Sequence, residues 1–248
     1  MVDIDFIIPS FRSKEFAEIS IKSFEKFKGE FNFRYIVVEN SNDNSYKEDI
    51  LSICENIVWI QHPTKFTNSE ANASSIEEGL KHVNSKYIFL CHNDVAACHP
   101  DWMTYLFSKL DKEGHFVVGT RRDNSRMNAL HISGILTTTE LAKSVSMFPV
   151  YNEKKEQILD VGDDLTKHCI ENNLKYFCCK STENDNTLIC KPPFSFFSVD
   201  RTVNDDGEVI FLHLGRGTPK QLGAYAKPNR VYFDEWVDFV KENILFED

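Results

Sequence analysis

The chain has 248 residues, enough for one large domain or two small ones, and 42% of them are hydrophobic, which supplies a sizeable core. The formal net charge of −10 argues against a nucleic-acid-binding surface or attraction to anionic lipid. No stretch approaches the roughly 20 apolar residues of a membrane span, and the acidic start at residues 1–5 lacks a signal-peptide pattern. Seven cysteines without a Cys-x-x-Cys pair indicate reduced thiols, so we expect a cytoplasmic protein.

The first half of the chain alternates predicted strands with predicted helices. Apolar runs predict four strands, and the first is expected to stop at Pro9 and Ser10 because Pro cannot donate to a sheet ladder. Apolar residues at helical spacing predict three helices between them, the last one capped by Ser74 or Ser75. This β-α-β-α-β-α-β order indicates a largely parallel sheet. The strands are predicted at 4–8, 33–38, 57–60 and 87–91, and the helices at 14–28, 46–55 and from about 74 to 83.

The fourth strand ends in three polar side chains. Its apolar run, Tyr87–Cys91, suits a central strand buried on both faces, and open α/β sheets bind their ligands at the carboxyl ends of such strands. His92, Asn93 and Asp94 stand at that end. Because His92 and Asp94 are two residues apart, they project to the same side of an extended chain and could share Mg or Mn. A strand-terminal turn is the alternative, since Asn and Asp are common turn residues.

The second half of the chain contains further strands and helices. Pro100 lies near the first turn of a helix that carries Trp102. Gly134 within a predicted strand indicates either a bulge or a close approach of a ligand to the backbone. An amphipathic helix near the end is expected to pack on the body of the protein through Trp236 and Val240. The strands are predicted at 115–119, 132–136, 175–179 and 208–213, and this last helix at 233–244.

Two polar segments of the second half are candidates for chemistry. Asp160, Asp163 and Asp164 open a predicted helix, where carboxylates either answer the helix dipole or serve a site. Arg216 stands between two glycines, which leave the backbone free to fold over a phosphate group that a guanidinium binds bidentately. Gly215–Thr218 is therefore expected to form a mobile lid.

Five motifs carry a family resemblance, namely Ile7–Ser10, Val37–Ser41, the strand ending at Asp94, His99–Trp102 and Asp163–Leu165. Their order resembles that of the family 2 glycosyltransferases of GT-A fold, which move a sugar from a nucleotide donor to an acceptor, and it spans roughly residues 3–218. The resemblance implies an α/β fold, a single Rossmann-like domain over residues 1–248 with a mainly parallel central sheet flanked by helices. Residues 1–95 would form the nucleotide-binding half, 96–218 the acceptor and catalytic half, and 219–248 a C-terminal helix.

The resemblance also implies roles for single residues. Asp94 falls on the last carboxylate of the family's Asp-x-Asp signature, which binds the metal that bridges the donor's two phosphates. His92 occupies the place of the first Asp, and His213 resembles the late His that completes the metal shell. Glu39 falls where the family holds the nucleoside, and a carboxylate there can accept hydrogen bonds from uracil or ribose. The implied donor-binding residues are Pro9, Ser10, Arg12, Glu39, Asn93, Asp94 and Arg216.

Two positions depart from the family pattern. A neutral imidazole at His92 contributes less charge than a carboxylate, so either Mn or another borderline metal fits the site better than Mg, or the metal is held weakly. Glu77 stands where the family often has Asn before the glycine now at Gly79. The donor contact that the family makes from this helix is therefore not expected in the same form.

The predicted function is transfer of a sugar from a nucleoside diphosphate donor to a hydroxyl of a glycan, lipid-linked or protein acceptor, with inversion. A divalent metal, Mn or Mg, and Arg216 would neutralise the leaving diphosphate, while Asp163, Asp164 or Asp160 takes the proton of the acceptor hydroxyl. A non-catalytic nucleotide-sugar-binding protein of the same fold is one alternative, which the substitution at His92 keeps open. A sugar nucleotidyltransferase is the other, although residues 9–13 lack its glycine-rich phosphate loop. The protein is expected either free in the cytoplasm or resting on the inner membrane face through a partner.

Overall fold

The fold consists of two larger β-sheets, a short hairpin and the helices around them. It is taken from a computed structural model that describes residues 1–123, 127–223 and 231–246. In chain order the strands are β1 (Val2–Ser10), β2 (Phe31–Glu39), β3 (Ile57–Gln61), β4 (Tyr87–Cys91), β5 (Val95–Ala97), β6 (Val117–Gly119), β7 (Gly134–Thr138), β8 (Val150–Tyr151), β9 (Gln157–Leu159), β10 (Tyr176–Cys178), β11 (Lys180–Ser181), β12 (Asp200–Val203) and β13 (Val209–His213). The helices are α1 (Lys14–Lys26), α2 (Lys47–Leu51), α3 (Asn68–Leu80), α4 (Trp102–Phe107), α5 (Thr139–Ser144), α6 (Asp163–Glu171), α7 (Gly217–Gln221) and α8 (Phe233–Val240), with π-helical turns at Ser108–Lys112 and Lys241–Leu245 and a 3₁₀ turn at Phe194–Phe196.

The larger sheet has seven strands in the order β10-β6-β7-β4-β1-β2-β3. Strands β4, β1, β2 and β3 run parallel to one another, and β10 runs parallel to β6. Strand β7 is antiparallel to both of its neighbours. This mainly parallel sheet flanked by helices confirms the predicted fold class. The carboxyl ends of β1, β2 and β4 meet at one edge, which is where such sheets bind ligands.

Strand β1 is longer than predicted and does not stop at Pro9. Ser10 pairs with Glu39 of β2, and its carbonyl accepts a hydrogen bond from the Asn40 amide at 2.9 Å. The predicted strand end was wrong because the residues around Pro9 carry the ladder although Pro itself donates nothing. The extra pair places Ser10 beside Glu39 at the edge where the carboxyl ends of β1, β2 and β4 meet, which we call the ligand edge of the sheet.

Helix α3 begins earlier than the predicted caps at residues 74–75. It starts at Asn68, so Ser75 lies within the helix. There the Ser75 hydroxyl donates to the carbonyl of Ala71 at 3.1 Å and to the side chain of Asn40. The cap prediction was wrong because a serine can satisfy its hydroxyl on the preceding turn of its own helix.

Aromatic rings fill the core on one face of the larger sheet. Phe6 of β1 is fully buried, and its ring centroid lies 4.7–5.2 Å from those of its four nearest ring neighbours, Phe24, Phe33, Tyr35 and Phe89. Each such ring removes a large apolar area from water. On the opposite face α3 packs directly on β1, since a Cβ at Gly79 would lie 2.6 Å from Cγ2 of Ile7.

A second sheet, which the sequence patterns did not predict, has the antiparallel order β11-β12-β13-β5. Strand β5 begins directly after Asp94, so the short segment that follows β4 passes from one sheet into the other. In the second sheet His213 pairs with Val95 on one side and with Asp200 on the other. The end of β13 is therefore held against the end of β4.

Gly134 does not form the bulge that was one of its two expected roles, and the approach of a ligand to its backbone stays a prediction. It pairs regularly with Cys91 of β4, without a bulge in that ladder. A Cβ at Gly134 would lie 2.6 Å from Oγ1 of Thr120, so the glycine allows close packing of protein on protein.

The segment at 231–246 packs on the body as predicted. Helix α8 and the turn that follows it bury Trp236, Val240 and Ile244. These side chains join a cluster with Phe16 and Leu212, which connects the segment to α1 and to the second sheet. Among the described residues, none of the helices combines the length and the apolar character needed to cross a membrane.

Candidate metal and donor site

Three side chains converge where the two sheets meet. His92 follows β4, Asp94 precedes β5, and His213 is the last residue of β13. Nδ1 of His92 lies 3.4 Å from Nε2 of His213, and these two nitrogens lie 3.7 and 3.5 Å from Oδ1 of Asp94. The sequence reasoning that paired His92 with Asp94 and added His213 from the family resemblance thus selected three residues that do come together.

The spacing of these three atoms fits a transition metal. Atoms 3.4–3.7 Å apart leave a central point about 2 Å from each, which is the length of a metal–nitrogen or metal–oxygen bond to zinc. Mg²⁺ instead takes octahedral oxygen ligands and keeps several waters. Two imidazoles and one carboxylate are the donor set of borderline cations such as Mn²⁺ or Zn²⁺, so the residues present fit such an ion.

Asp94 is held in its ionised form inside the protein. Its side chain is 5% exposed, and burial alone would raise its pKa. The imidazoles of His213 and His92 and a hydrogen bond from the Gly217 amide outweigh burial and hold the pKa of Asp94 well below its usual range. That amide donates to Oδ2 at 2.9 Å, which leaves Oδ1 facing the two histidines.

His92 is neutral near physiological pH. Burial lowers the pKa of His92 to about 4, with a smaller contribution in the same direction from His213, although Asp94 opposes it. A neutral imidazole has the lone pair that a metal ligand needs. Asn72 of α3 contacts the other ring nitrogen, Nε2, at 3.1 Å.

A third imidazole, which the sequence reasoning did not single out, borders the site. The ring centroid of His131 lies 5.4 Å from that of His92 and 5.6 Å from that of His213. Its Nδ1 accepts a hydrogen bond from the Ser133 amide at 3.1 Å, so the proton of the neutral ring is on Nε2. His131 therefore places a third imidazole ring beside the three candidate ligands. A lone histidine before a predicted strand gave no signal for this.

Glu39 is a buried carboxylate in a dense hydrogen-bond network. It is fully buried and accepts hydrogen bonds from the Arg12 amide at 3.2 Å, from the Ser41 amide at 2.9 Å and from the hydroxyl of Tyr46. Tyr46 also contacts the hydroxyl of Ser10 at 3.0 Å. Glu39 thus fixes the end of β1, where Pro9 is buried, and the loop after it, where Arg12 is exposed. Direct contact of these residues with a nucleotide stays a prediction.

The other predicted donor residues border the same edge. Asn93 is 8% exposed, and its carbonyl accepts a hydrogen bond from Ser20 of α1 at 2.7 Å. Arg216 is exposed and has a left-handed backbone with φ of 59° just before α7. Glu77 accepts a hydrogen bond from the Met147 amide at 2.9 Å, so this departure from the family pattern anchors a loop.

The acidic cluster brackets the start of α6. Asp163 is 3% exposed, and its Oδ2 accepts a hydrogen bond from the Asp160 amide at 2.7 Å. Asp164 accepts from the Ser146 amide at 3.3 Å and lies 3.4 Å from Nζ of Lys167. Asp160 makes the smallest of the contributions to the pKa of His92, in the raising direction.

Comparison with solved structures identifies proteins of the same fold. A mannosyltransferase from Pyrobaculum calidifontis, solved with GDP-Man and Mn²⁺, is similar with a TM-score of 0.55 and 10% identity over 71% of this chain and 54% of its own. Glucosyl-3-phosphoglycerate synthase from Mycobacterium tuberculosis, solved with Mn²⁺, UDP and phosphoglyceric acid, is similar with a TM-score of 0.52 and 15% identity over 71% of this chain and 68% of its own. The chain thus spans about half the length of the mannosyltransferase. At these identities the likeness shows the fold, which is the predicted GT-A fold.

Sequence comparison assigns the family. None of the curated proteins matches the chain. The model of one family, described as glycosyl transferase family 2, matches residues 5–158, which is more than half of the chain. The match begins in β1 and includes the strand that leads into His92 and Asp94. The chain therefore belongs to glycosyl transferase family 2.

Proposed function

We propose that the protein transfers a sugar from a nucleoside diphosphate donor to a hydroxyl acceptor, with the help of a divalent cation and with inversion at the sugar. The observation that carries the proposal is the group of His92, Asp94 and His213 at the ligand edge of the sheet, with ligand atoms all within 4.8 Å of one another. Two structures of the same fold were solved with Mn²⁺ and a nucleotide or nucleotide sugar, which supports this chemistry here.

The three candidate ligands would hold the cation, which when bound supplies positive charge against the two phosphates of the donor. Asp94 would contribute the single negative charge of the protein ligands, through the Oδ1 that faces the histidines. Arg216, exposed beside this edge, would add a planar donor for a phosphate oxygen as the diphosphate leaves. The nucleoside would lie over the loop that Glu39 holds, near Ser10 and Arg12.

The acceptor hydroxyl requires a carboxylate that takes its proton while the sugar is transferred in a single displacement. We assign this role to the acidic cluster, with Asp163 first, because the N-terminus of α6 favours its ionised form. Asp160 competes for this role, because its amide donates a hydrogen bond to the Asp163 carboxylate at the same helix start. Asp164 is directed to Lys167 and to the Ser146 amide. Glycan, lipid-linked and protein acceptors are all consistent with such a site.

A thermal-shift screen tests donor binding. UDP, GDP and dTDP sugars are added with and without Mn²⁺, and the cognate donor should raise the melting temperature only when the cation is present. At a ligand concentration 100 times its Kd the gain is about 2.7 kcal/mol, which for a chain of this size corresponds to roughly 5–10 °C. If no nucleotide sugar raised the melting temperature, the proposal would be wrong.

Product analysis with the identified donor then tests the reaction. Release of a nucleoside diphosphate from the donor supports transfer, and donor binding without that product indicates a non-catalytic protein. Release of pyrophosphate in a separate assay, with the corresponding nucleoside triphosphate and sugar 1-phosphate, indicates a nucleotidyltransferase. Asp163→Asn should bind donor and Mn²⁺ as the wild type does but turn over roughly 100-fold more slowly. Asp160→Asn and Asp164→Asn are the matched variants. Normal turnover by all three would exclude this cluster as the source of the base.

A further inference from the structure

Each of the two histidines in the candidate metal group uses one ring nitrogen toward the shared centre and turns the other away from it. For His92 the inner atom is Nδ1, which faces His213, and the outer atom is Nε2. For His213 the inner atom is Nε2 and the outer atom is Nδ1. A neutral imidazole that binds a metal through one nitrogen must carry its proton on the other, and that N–H needs an acceptor when it is buried.

Asp200 stands at the outer nitrogen of His213. The two residues are direct partners in the ladder between β12 and β13, so their side chains share one face of the sheet. Oδ2 of Asp200 lies 4.0 Å from Nδ1 of His213, about 1 Å longer than a hydrogen bond. The Asp200 side chain is 8% exposed, and its Oδ2 is buried without a hydrogen-bond partner in the described parts of the chain. Nε of Arg121 lies 3.2 Å from this oxygen and forms an ion pair with it, although neither atom has a hydrogen-bond partner in the described parts of the chain.

Asn72 stands at the outer nitrogen of His92. Its Nδ2 lies 3.1 Å from Nε2 of His92, while its Oδ1 is buried without a hydrogen-bond partner in the described residues. With Nδ2 as donor, the proton of the His92 ring sits on the inner Nδ1, where it blocks a metal. A half-turn of the amide brings Oδ1 to the same position, which moves the proton to Nε2 and leaves the lone pair of Nδ1 directed to the centre. The amide can therefore serve either tautomer.

We propose that Asn72 and Asp200 are the positioning residues of the metal centre, accepting the outward N–H of His92 and of His213 when a cation binds. The inference rests on the metal-assisted transfer proposed above and assigns two residues to it. Both act through a histidine and neither touches the cation. In this arrangement the buried amide oxygen of Asn72 and the buried carboxylate oxygen of Asp200, which have no hydrogen-bond partner among the described residues, each gain a hydrogen bond. Cation binding is thereby coupled to the satisfaction of two polar groups on α3 and β12.

Two pairs of variants test the proposal on the metal alone. Asn72→Leu and Asp200→Leu remove the acceptor, whereas Asn72→Asp and Asp200→Asn keep an oxygen that can accept. Titration with MnCl₂, followed by the paramagnetic resonance signal of free Mn²⁺, should give a Kd that is roughly 10–100-fold weaker for each leucine variant. The Asp and Asn variants should remain within about threefold of the wild type or bind more tightly. Circular dichroism and melting temperature confirm that each variant is folded.

A measurement on the unaltered protein complements the variants. In the complex with diamagnetic Zn²⁺, ¹⁵N NMR of the histidine rings should show the proton of His213 on Nδ1 and that of His92 on Nε2. The opposite tautomer at either ring would overturn the assignment of its partner. Leucine variants that bind Mn²⁺ as tightly as the wild type would overturn it as well, and so would equal losses in both members of a pair. If the wild type binds neither Mn²⁺ nor Zn²⁺, both the proposed metal-assisted function and this inference are wrong. If the wild type binds Mn²⁺ and the leucine variants bind it equally well, only this inference is wrong.

Discussion

His92 makes the candidate metal site less negative than the two carboxylates of the family's Asp-x-Asp signature would. With one carboxylate, Asp94, among the three candidate ligands, a bound divalent cation would retain one net positive charge, whereas two carboxylates would cancel it. The diphosphate of the donor can supply the missing negative charge. Cation and nucleotide should therefore bind cooperatively, each tightening the other by the same factor.

The first prediction concerns Asp94. The Asp94→Asn variant lacks the only negative charge among the three candidate ligands, so its affinity for Mn²⁺ should be about 100-fold or more weaker than that of the wild type. Isothermal calorimetry with MnCl₂, with and without the cognate nucleoside diphosphate, provides the measurement. Asp206→Asn, at an exposed position, is the control and should bind Mn²⁺ as the wild type does. Unchanged affinity in Asp94→Asn would mean that the cation binds elsewhere.

The second prediction concerns the contact between Gly217 and Asp94. A Cβ at Gly217 would lie 2.6 Å from Cβ of Asp94 and 2.8 Å from its Oδ2, so Gly217→Ala must push the start of α7 away and lengthen the hydrogen bond to Oδ2. Overpacking of this kind costs about 1–3 kcal/mol of stability. Donor affinity in Mn²⁺, measured by calorimetry, should fall by roughly 10-fold, which corresponds to 1.4 kcal/mol. Thr218→Ala adds no atoms and serves as the control; wild-type donor affinity in Gly217→Ala would show that the contact does not matter for binding.

At the scale of elements, the edge of the sheet opposite the ligand edge is tied together by one buried carboxylate. Asp5 of β1 is fully buried and accepts two hydrogen bonds from Arg34 of β2, at 3.0 and 2.7 Å. It also accepts from the amides of Asn84 and Ser85, at 2.6 and 3.1 Å, in the turn that leads into β4. The Asp5 side chain thus fixes the positions of β2, β1 and β4 relative to one another. The pairing register of these strands also determines how their carboxyl ends are aligned at the ligand edge.

The third prediction follows from this tie. Burial alone would raise the pKa of Asp5, but the hydrogen bonds from Arg34, Asn84 and Ser85 outweigh it and lower the pKa below its ordinary value. Asp5→Asn should lower the free energy of unfolding at pH 7 by about 3 kcal/mol, the scale for breaking a buried pair. Because the folded-state pKa is depressed, this contribution is complete above the unfolded pKa near 3.9 and is lost as the pH falls through the folded value.

Urea denaturation of the wild type and of Asp5→Asn at a series of pH values measures the difference. It should be constant from pH 7 to pH 5 and shrink toward acid. Asp3→Asn, at an exposed position of the same strand, should change stability by less than about 0.5 kcal/mol. A difference between wild type and Asp5→Asn that grew on acidification would contradict the assigned direction of the pKa shift.

At the scale of the whole molecule, the patterns predicted the parallel sheet better than the second sheet. Continuous apolar runs such as Tyr87–Cys91 signal buried strands directly, and their order determines a parallel topology. Strand β5 has three residues and β11 has two, which is too short for any periodicity to show. The histidines of the site were predicted from a strand end and a family likeness. Asp200 and Asn72 were not predicted as site residues. Asp200 lies beside His213 through the pairing of β12 with β13, and Asn72 lies beside His92 through the packing of α3, and both arrangements exist only in the folded chain.

The fourth prediction tests how the two sheets are joined. Trp102 is fully buried and packs edge-to-face against Phe89 of the larger sheet at 5.5 Å between ring centroids. It also stacks with Phe211 of the second sheet at 5.9 Å. Trp102→Ala should lower the free energy of unfolding by about 3–5 kcal/mol, as measured by chemical denaturation. Trp59→Ala, at the edge strand β3 and only partly buried, should cost clearly less. Equal losses in the two variants would indicate that Trp102 does not join the sheets.

The meeting of two sheets at Asp94 has a consequence for biosynthesis. His92 and His213 are 121 residues apart in the chain. At translation rates of roughly 5–20 residues per second, on the order of 6–24 s separates their emergence from the ribosome. During that interval the parallel sheet can begin to form while His92 and Asp94 have no third partner, so a nascent chain has no complete cation site. The candidate cation site would therefore be completed only after β13 has been synthesised and has docked beside β5, so a cation would be selected by a chain whose larger sheet can already have begun to form.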